Sequence, residues 1–184
     1  MIADLLHLLS FFILIQKIQK SKSCGGISCK TQELYLIVFL TRYPDIFMYV
    51  VSFYNTIMKI SFIGATIYII YLFHYKKPQC LSYQREQDDF PHFQYVLPAA
   101  AILALLIHKK FRLFELSWSF SIWLEALAIL PQLKMLTKMQ EVENLTGNYV
   151  AALGLYRVFY VLSWVLRFYS RNELDWVKTL GGIL

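Results

Sequence analysis

The stretch 149–168 constrains the fold of this chain more than any other. It holds about twenty mostly apolar residues, enough for a helix rising ~1.5 Å per residue to cross a bilayer core of about 30 Å. Five aromatic or cationic residues lie on one helical face of it or beside that face: Tyr156, Arg157, Tyr160, Trp164 and Arg167. An arginine at membrane depth costs at least ~2.5–3.5 kcal/mol, so we expect both arginines to face a protein interior that holds an anion.

Composition indicates a polytopic membrane protein. The chain of 184 residues is 58% hydrophobic and 16% charged, with a mean hydropathy of +0.48. The net charge of +6 could suggest nucleic acid, but the basic residues form short clusters between apolar runs. We therefore interpret them as residues that set membrane topology, and we expect the lipid bilayer and not nucleic acid as a partner.

Six apolar segments and a partial seventh predict an all-α fold in one integral membrane domain, 1–184. They lie at about 2–18, 34–53, 57–73, 93–107, 114–130 and 149–168, and the seventh covers only 176–184. About twenty residues are needed to span a bilayer, so we expect six full helices and a stump of the seventh.

The loop 17–30 decides the predicted orientation. It contains lysines and no acidic residue, which places it in the cytosol and the N-terminus in the lumen. The later loops have a weaker bias. Asp4 and His7 interrupt the first apolar run, so we expect it to remain as a helix and not to act as a signal peptide.

Ionisable residues within the segments predict an internal polar site. Arg42 and Asp45 are three residues apart, with Pro44 between them. They could form a self-neutralising pair or line a cavity. The number of such residues favours a cavity; the eight are Asp4, His7, Arg42, Asp45, Glu115, Glu125, Arg157 and Arg167.

Catalysis and metal binding are not predicted. Glu115 and Glu125 would lie ~15 Å apart along one helix, too far for paired acid–base work on one bond. The three cysteines, Cys24, Cys29 and Cys80, have no metal-ligand spacing, and we assign them no role. We expect no enzyme, no metal and no cofactor.

Two longer motifs carry a family resemblance. Residues 26–43 begin Gly-Ile-Ser-Cys-Lys-Thr-Gln-Glu-Leu-Tyr and end Arg-Tyr, and residues 124–133 read Leu-Glu-Ala-Leu-Ala-Ile-Leu-Pro-Gln-Leu. Both closely resemble signatures of the ER lumen protein retaining receptors, the KDEL receptor family, with Leu127 in place of the usual valine. The Pro-Gln pair also resembles the PQ-loop and SWEET superfamily, which implies a fold of two three-helix bundles around a linking helix.

The resemblance implies a multi-pass receptor of the endoplasmic reticulum and cis-Golgi membranes. Such a receptor captures the C-terminal Lys-Asp-Glu-Leu or His-Asp-Glu-Leu tail of escaped residents in the mildly acidic Golgi. It returns with the retrograde coat machinery and releases its cargo near neutral pH. A tail with three negative charges would be the anion that the buried arginines require.

The resemblance also implies roles for individual residues. Arg42 and Tyr43 match family positions that hold the terminal carboxylate of the ligand. Arg167 matches the position that pairs with the ligand aspartate. Trp164 and Glu115 match positions near the first residue of the ligand. The full peptide-binding set is Arg42, Tyr43, Asp45, Glu115, Tyr160, Trp164 and Arg167. The matched pH-sensing set is His7, Glu125, Tyr156 and Arg157. A histidine suits sensing because its ordinary pKa of ~6.5 lies between the two compartments' pH values.

The chain also departs from the family pattern. The family's arginine at the start of the first helix has no counterpart before Lys17, and Ser163 replaces an asparagine. A complete seventh helix and the lysine-containing tail that engages the coat are expected to be missing. Two alternatives therefore remain: a small-solute transporter of the PQ-loop type, and a truncated paralogue that does not retrieve cargo. A set of inward arginines favours a polyanionic ligand over a sugar or a cationic amino acid.

Overall fold

The structure, a computed structural model, describes residues 2–47, 52–139, 144–171 and 176–183, and all regular secondary structure in them is helical. The α-helices are α1 (Ile2–Ser21), α2 (Cys29–Arg42), α3 (Phe53–His74), α4 (His92–Leu106), α5 (Leu113–Leu127), α6 (Leu130–Lys138), α7 (Asn144–Arg171) and α8 (Trp176–Ile183). Two short 3-10 helices cover Pro44–Phe47 and Gln79–Ser82. The prediction of an all-α protein is confirmed.

Three described stretches are long and apolar enough to cross a membrane: Phe53–His74, Leu113–Lys138 and Thr146–Leu166. The second of these comprises α5 and α6 together. α4 is apolar but shorter. These spans agree with the membrane protein that the composition predicts.

The second predicted segment, 34–53, differs from the helix that forms. α2 begins earlier, at Cys29, because the Ser28 hydroxyl caps it by accepting from the Thr31 N–H at 3.2 Å. It ends at Arg42, since Pro44 disfavours helical geometry at the residue before it; Tyr43 has φ −115° and ψ 38°. Asp45 therefore lies in a 3-10 helix and not one turn beyond Arg42 on the same α-helix.

The helix predicted at 114–130 is interrupted just before Pro131. α5 ends at Leu127, and α6 begins at Leu130 with the proline in its first turn. A proline has no N–H to donate to the carbonyl four residues earlier, which accounts for the break there. Ala128 and Ile129 keep helical backbone angles, so the chain continues in helical geometry through the break.

The packed helices form a bundle with two distinct ends. α1 packs against α7 and α3, while α5 packs against α4, α2 and α8. Residues 22–28 and 75–91 meet at one end, which we call the loop end; for example, the Cys24 N–H donates to Ser82 Oγ at 2.8 Å. α2 starts at this end and finishes with Arg42 at the other, which we call the cavity end.

Candidate functional site: a charged cavity between the helices

A cavity of about 760 Å³ lies at the cavity end, lined by residues of α1, α2, α5, α7 and α8. It contains most of the residues that the sequence predicts for binding and pH sensing. These are Arg42, Tyr43, Glu125, Tyr156, Arg157, Tyr160 and Trp164. Helices far apart in the sequence thus bring the predicted groups to one place.

The centre of the cavity wall is an ion pair between the Arg42 guanidinium and the Glu125 carboxylate. The side chains are only 14% and 12% exposed, respectively. Arg42 also donates from Nε to Ser121 Oγ at 3.1 Å and from Nη2 to the Ser121 carbonyl at 3.0 Å. This fork of donors holds the guanidinium plane in place, while Glu125 neutralises its charge.

Two residues of α7 hold Glu125 from the other side. The Tyr156 hydroxyl donates to Glu125 Oε1 at 2.9 Å, and the Arg157 guanidinium donates to the Glu125 backbone carbonyl. Glu125 thus has a guanidinium and a hydroxyl as partners, as a carboxylate buried in a membrane protein requires.

His7 lies behind this network and not on the cavity wall. Its ring stacks on that of Tyr156 with centroids 3.8 Å apart and an interplanar angle of 8°. The side chain is buried, and its Nε2 has no hydrogen-bond partner among the residues that the structure describes. His7 therefore contacts the same tyrosine that binds Glu125.

An aromatic column continues along α7 toward its C-terminal half. Tyr160 packs edge-on against Tyr156 at 5.9 Å between centroids, and Trp164 stacks on Tyr160 at 5.7 Å. The Tyr160 hydroxyl donates to the Asp4 carboxylate, which also accepts from Tyr54 at 3.4 Å. The column connects the ion-pair network to the outer part of the cavity.

Three predicted binding residues are not placed on the cavity wall. Asp45 accepts from Lys59 Nζ at 2.5 Å, so its ion pair is with α3 and not with Arg42. Glu115 lies in the first turn of α5, outside the residues that line the cavity. The side chain of Arg167 lies outside the described part of the structure.

The structure adds cavity residues that the sequence interpretation did not select. Lys178 of α8 lines the cavity, and its Nζ lies 5.2 Å from the centre of the Trp118 ring, which is also in the wall. Asp4, one of the ionisable residues that predicted an internal cavity, is also a lining carboxylate, as expected. No spacing in the sequence relates α8 to α5, so only the packing of the two helices could reveal Lys178.

The cavity is suited to binding an anion. Its described walls carry three cations, Arg42, Arg157 and Lys178, against two carboxylates, Asp4 and Glu125. An incoming carboxylate could replace Glu125 on Arg42 without leaving the guanidinium unpaired. A cation-rich cavity within a helical protein that has three membrane-length helices is typical of a membrane receptor or transporter.

Comparison with known proteins identifies the family. The model of the family described as "ER lumen protein retaining receptor" matches residues 23–167. A protein of Plasmodium falciparum named ER lumen protein-retaining receptor is 50% identical over 186 residues, covering 100% of this chain and 84% of that protein. ER lumen protein-retaining receptor B of Arabidopsis thaliana is 47% identical, covering 98% of this chain and 84% of its own length. The chain therefore belongs to the ER lumen protein retaining receptor family, which consists of receptors and not of enzymes, as its two motifs predict.

Proposed function

We propose that the cavity binds the free C-terminal Lys-Asp-Glu-Leu or His-Asp-Glu-Leu tail of soluble ER proteins. The protein captures such tails in the mildly acidic Golgi and returns them to the ER. The observation that carries this proposal is the Arg42–Glu125 ion pair in the cavity wall. Arg42 already binds a carboxylate there, that of Glu125, so the same guanidinium is suited to the carboxylate of a ligand.

Exchange of carboxylates is the proposed binding step. The terminal carboxylate of the tail takes the place of Glu125 on Arg42, next to the Tyr43 hydroxyl. Arg42 keeps its two hydrogen bonds to Ser121 throughout, so its geometry is preorganised for the incoming group. The volume of about 760 Å³ falls within the range of about 300–1,000 Å³ usual for ligand pockets.

The remaining charges of the tail have partners of matching chemistry. Lys178 and Arg157 line the cavity as further cations, and Arg167 is proposed to pair with the ligand aspartate. Trp164 offers an aromatic face to the first, cationic residue of the tail, with Tyr160 stacked beneath it. Glu115 is proposed to assist near that residue and Asp45 near the carboxylate, although neither lines the cavity as described.

His7 is proposed to set the pH dependence. A proton on His7 attracts the Glu125 carboxylate, because both groups contact Tyr156. Glu125 and Tyr156 then re-pair close to the protonated His7. Glu125 thereby leaves Arg42, which can bind the tail. The other charged groups near His7 are Asp4, Arg42 and Arg157. Protonation in the Golgi thus favours capture, and its loss in the ER favours release.

The membrane setting proposed here follows the charge of the loops. The cavity end faces the lumen, where the cargo is, and the loop end with its lysines faces the cytosol. The receptor is proposed to reside in the ER and cis-Golgi membranes and to follow the PQ-loop arrangement of helices. Retrograde transport would use the coat machinery that serves the family.

Peptide binding tests the proposal directly. A labelled peptide ending in Lys-Asp-Glu-Leu is titrated against the full chain in detergent at mildly acidic and at neutral pH. A peptide with the same sequence and a C-terminal amide serves as the ligand control. We expect tight binding of the acid at the lower pH and at least tenfold weaker binding of the amide, since a charge-assisted hydrogen bond contributes about 1.5–3 kcal/mol.

An arginine pair provides the protein control. We expect Arg42→Ala to weaken tail binding by about ten- to a hundredfold. Arg112→Ala removes an equal charge from an exposed position at the start of α5 and should change binding less than about twofold. Equal affinity for the acid and amide peptides would refute the proposed carboxylate site. Transport of a small solute by the unaltered chain, with no tail binding, would favour the transporter.

A further inference from the structure

Four side chains with metal-ligand chemistry meet at the loop end, far from the cavity. Cys29 and Glu33 lie one turn apart at the start of α2. His74 is the last residue of α3, and His92 is the first residue of α4. Three helices therefore bring their ends together around one thiol, one carboxylate and two imidazoles.

The distances between these groups are short. Cys29 Sγ lies 3.6 Å from His74 Nε2 and 3.9 Å from Glu33 Oε1, and the last two atoms are 4.0 Å apart. The three ligand atoms thus all lie within 4.8 Å of one another. One point in space can be close to all three atoms.

This triangle has almost the dimensions of one face of a zinc tetrahedron. Bonds of about 2.3 Å to sulfur and about 2.0–2.1 Å to nitrogen or oxygen place neighbouring ligand atoms about 3.3–3.6 Å apart. The sulfur–nitrogen edge of 3.6 Å already has that length. The edge from Cys29 to Glu33 is about 0.3 Å longer than the tetrahedral length, and the edge from His74 to Glu33 is about 0.7 Å longer. Rotation of the Glu33 carboxylate can shorten both edges.

His92 supports the carboxylate from behind. Its Nε2 lies 2.9 Å from Glu33 Oε2, the oxygen that does not face Cys29, and its Nδ1 lies 3.4 Å from the Phe90 carbonyl. A ligand held in this way by a second polar group is typical of metal sites. His92 and Cys29 are buried, whereas His74 is 48% exposed. The exposed side gives an ion access and leaves room for a water as fourth ligand.

We propose that Cys29, Glu33 and His74 form a Zn²⁺ site with an open fourth position, in which His92 positions the Glu33 carboxylate. Binding displaces the proton of the Cys29 thiol and produces a zinc-bound thiolate. The ion joins the first turn of α2 to the last turn of α3, next to residues 75–91. The site is independent of tail binding, so the two proposals can fail separately.

The sequence offered little indication of this site. Cys29 and Glu33 have the i, i+4 spacing of two ligands on one helix, but the third ligand follows 45 residues after the cysteine. Glu33 could instead serve only as a carboxylate between two histidines. Metal binding by the chain and its variants decides between a metal site and such an ion pair.

Metal titration of the full chain tests the site. The protein is purified in detergent, stripped with a chelator, and titrated with Zn²⁺ and then with Co²⁺ as a spectroscopic probe. We expect one tightly bound Zn²⁺ per chain and a thiolate-to-cobalt charge-transfer band, since thiolate, imidazole and carboxylate ligands all bind these metals. Absence of stoichiometric binding would overturn the proposal.

Variants assign the ligands. Cys29→Ser should abolish the cobalt band, and both Cys29→Ser and His74→Ala should weaken zinc binding by at least tenfold. His92→Gln should weaken it about 10–100-fold and leave the band in place. Cys80→Ser, which removes a cysteine outside the cluster, should change nothing. Zinc binding that Cys29→Ser and His74→Ala leave unaltered would overturn the proposed ligand set.

Two further measurements distinguish a lost ligand from a damaged fold. His74→Cys replaces one zinc ligand with another, so it should bind zinc where His74→Ala does not. Tail binding reports on the opposite end of the molecule, so it should remain within about twofold of the unaltered chain in Cys29→Ser. Failure of His74→Cys to bind zinc in a variant that still binds the tail would count against His74 as a ligand.

Discussion

The two ends of the helical bundle satisfy their polar groups in opposite ways. At the loop end, the Gln132 side chain accepts from the Ser28 N–H at 2.8 Å and donates to the Gly26 carbonyl at 2.9 Å. Its backbone N–H donates to Thr31 Oγ1 at 3.0 Å, and the Ser28 hydroxyl donates to the Asp88 carboxylate at 2.8 Å. We call these residues, Gly26, Ser28, Thr31, Asp88 and Gln132, the loop-end network. Most of its hydrogen bonds join neutral groups.

The cavity end depends on charges that share partners. Glu125 is bound by Arg42 and Tyr156, while His7 stacks on the same tyrosine. The buried Nε2 of His7 has no hydrogen-bond partner among the described residues. Under the proposed mechanism, a proton or an incoming carboxylate changes which of these groups pair, because shared partners allow one bond to replace another.

The comparison separates two roles within the same motifs. The motif 26–43 begins with residues of the loop-end network and ends at Arg42 in the cavity. The motif 124–133 likewise contains Glu125 of the cavity and Gln132 of the network. The two motifs contact each other at both ends of α2. At the loop end, Ser28 and Gln132 form a neutral hydrogen bond, and at the cavity end Arg42 and Glu125 form an ion pair. We therefore expect the stability of the fold to depend mainly on the loop-end hydrogen bonds, and tail binding to depend mainly on the ion pair at the cavity end.

The largest effect on stability is expected from Gln132→Ala. The change leaves the Ser28 N–H and the Gly26 carbonyl buried without their partner, and each such group costs about 1–3 kcal/mol. We expect a loss of about 2–4 kcal/mol in the free energy of unfolding, measured by denaturant or thermal unfolding in detergent. Residual folded protein should keep the pH dependence of tail binding.

The control for this change is Gln19→Ala. Gln19 is exposed and donates to the Tyr68 hydroxyl at 3.0 Å. Its replacement should alter the unfolding free energy by less than about 0.5 kcal/mol. Similar losses from both variants would show that the loop-end network has no special share in stability.

A smaller effect is expected where α8 closes the cavity. A Cβ atom on Gly182 would collide with the Trp164 ring, and Trp164 is held by stacking on Tyr160. We expect Gly182→Ala to displace α8 or the indole, to cost about 1–3 kcal/mol in stability, and to weaken tail binding. Unfolding and peptide titration measure the two effects.

Two other glycines provide matched controls. A methyl group added to Gly64 in α3 or to Gly154 in α7 would meet no neighbouring atom within 4 Å. Alanine at either position should stabilise its helix by about 0.5–1 kcal/mol. Tail binding in Gly182→Ala that matches these controls would mean that contact between α8 and Trp164 is not needed for the site.

The sequence predicted much of the cavity because membrane-buried charges are rare and therefore informative. Arg42, Glu125 and Arg157 are conspicuous in apolar segments, and all three line the cavity. Pairing is harder to predict. Arg42 and Asp45 are neighbours in sequence, yet their partners, Glu125 and Lys59, come from other helices. Lys178 went unselected because only tertiary packing brings α8 to the cavity.

Helix ends also required information beyond hydropathy. The apolar pattern continues smoothly past Arg42, so it predicts one long segment through 53. The cap at Ser28 and the effect of Pro44 determine the actual limits of α2. The proposed zinc site of Cys29, Glu33 and His74, with His92 beside it, was not predicted for a different reason. These residues come from the ends of three helices, and no sequence periodicity connects them.

His7→Ala tests the cavity end alone. One proton exchanged over one pH unit can change tail affinity by at most ~1.4 kcal/mol, about tenfold. We expect the variant to bind the tail with nearly the same affinity at mildly acidic and neutral pH, whereas the unaltered chain binds more tightly at the lower pH. His108→Ala, which removes a histidine outside the cavity lining, should keep the full pH dependence. Tail binding that stays dependent on pH in His7→Ala would assign the sensor elsewhere.

The smallest effect is expected at an exposed ion pair beside the loop-end network. Lys138 and Lys134 donate to Asp89 at 2.7 and 3.1 Å, and these hydrogen bonds lower the pKa of the Asp89 carboxyl from 3.8 to about 2. A lowered pKa in the folded state stabilises the protein above the ordinary pKa and ceases to do so as the pH falls through the lowered one. Asp89→Asn should therefore be slightly less stable than the unaltered chain near neutral pH and equal to it in strong acid. Thermal unfolding across this pH range should show the small difference shrinking in high salt, because exposed charges are screened. A difference that salt leaves unchanged would mean that Asp89 acts through packing and not through its charge. This loop would then resemble the neutral loop-end network and not the charged cavity end.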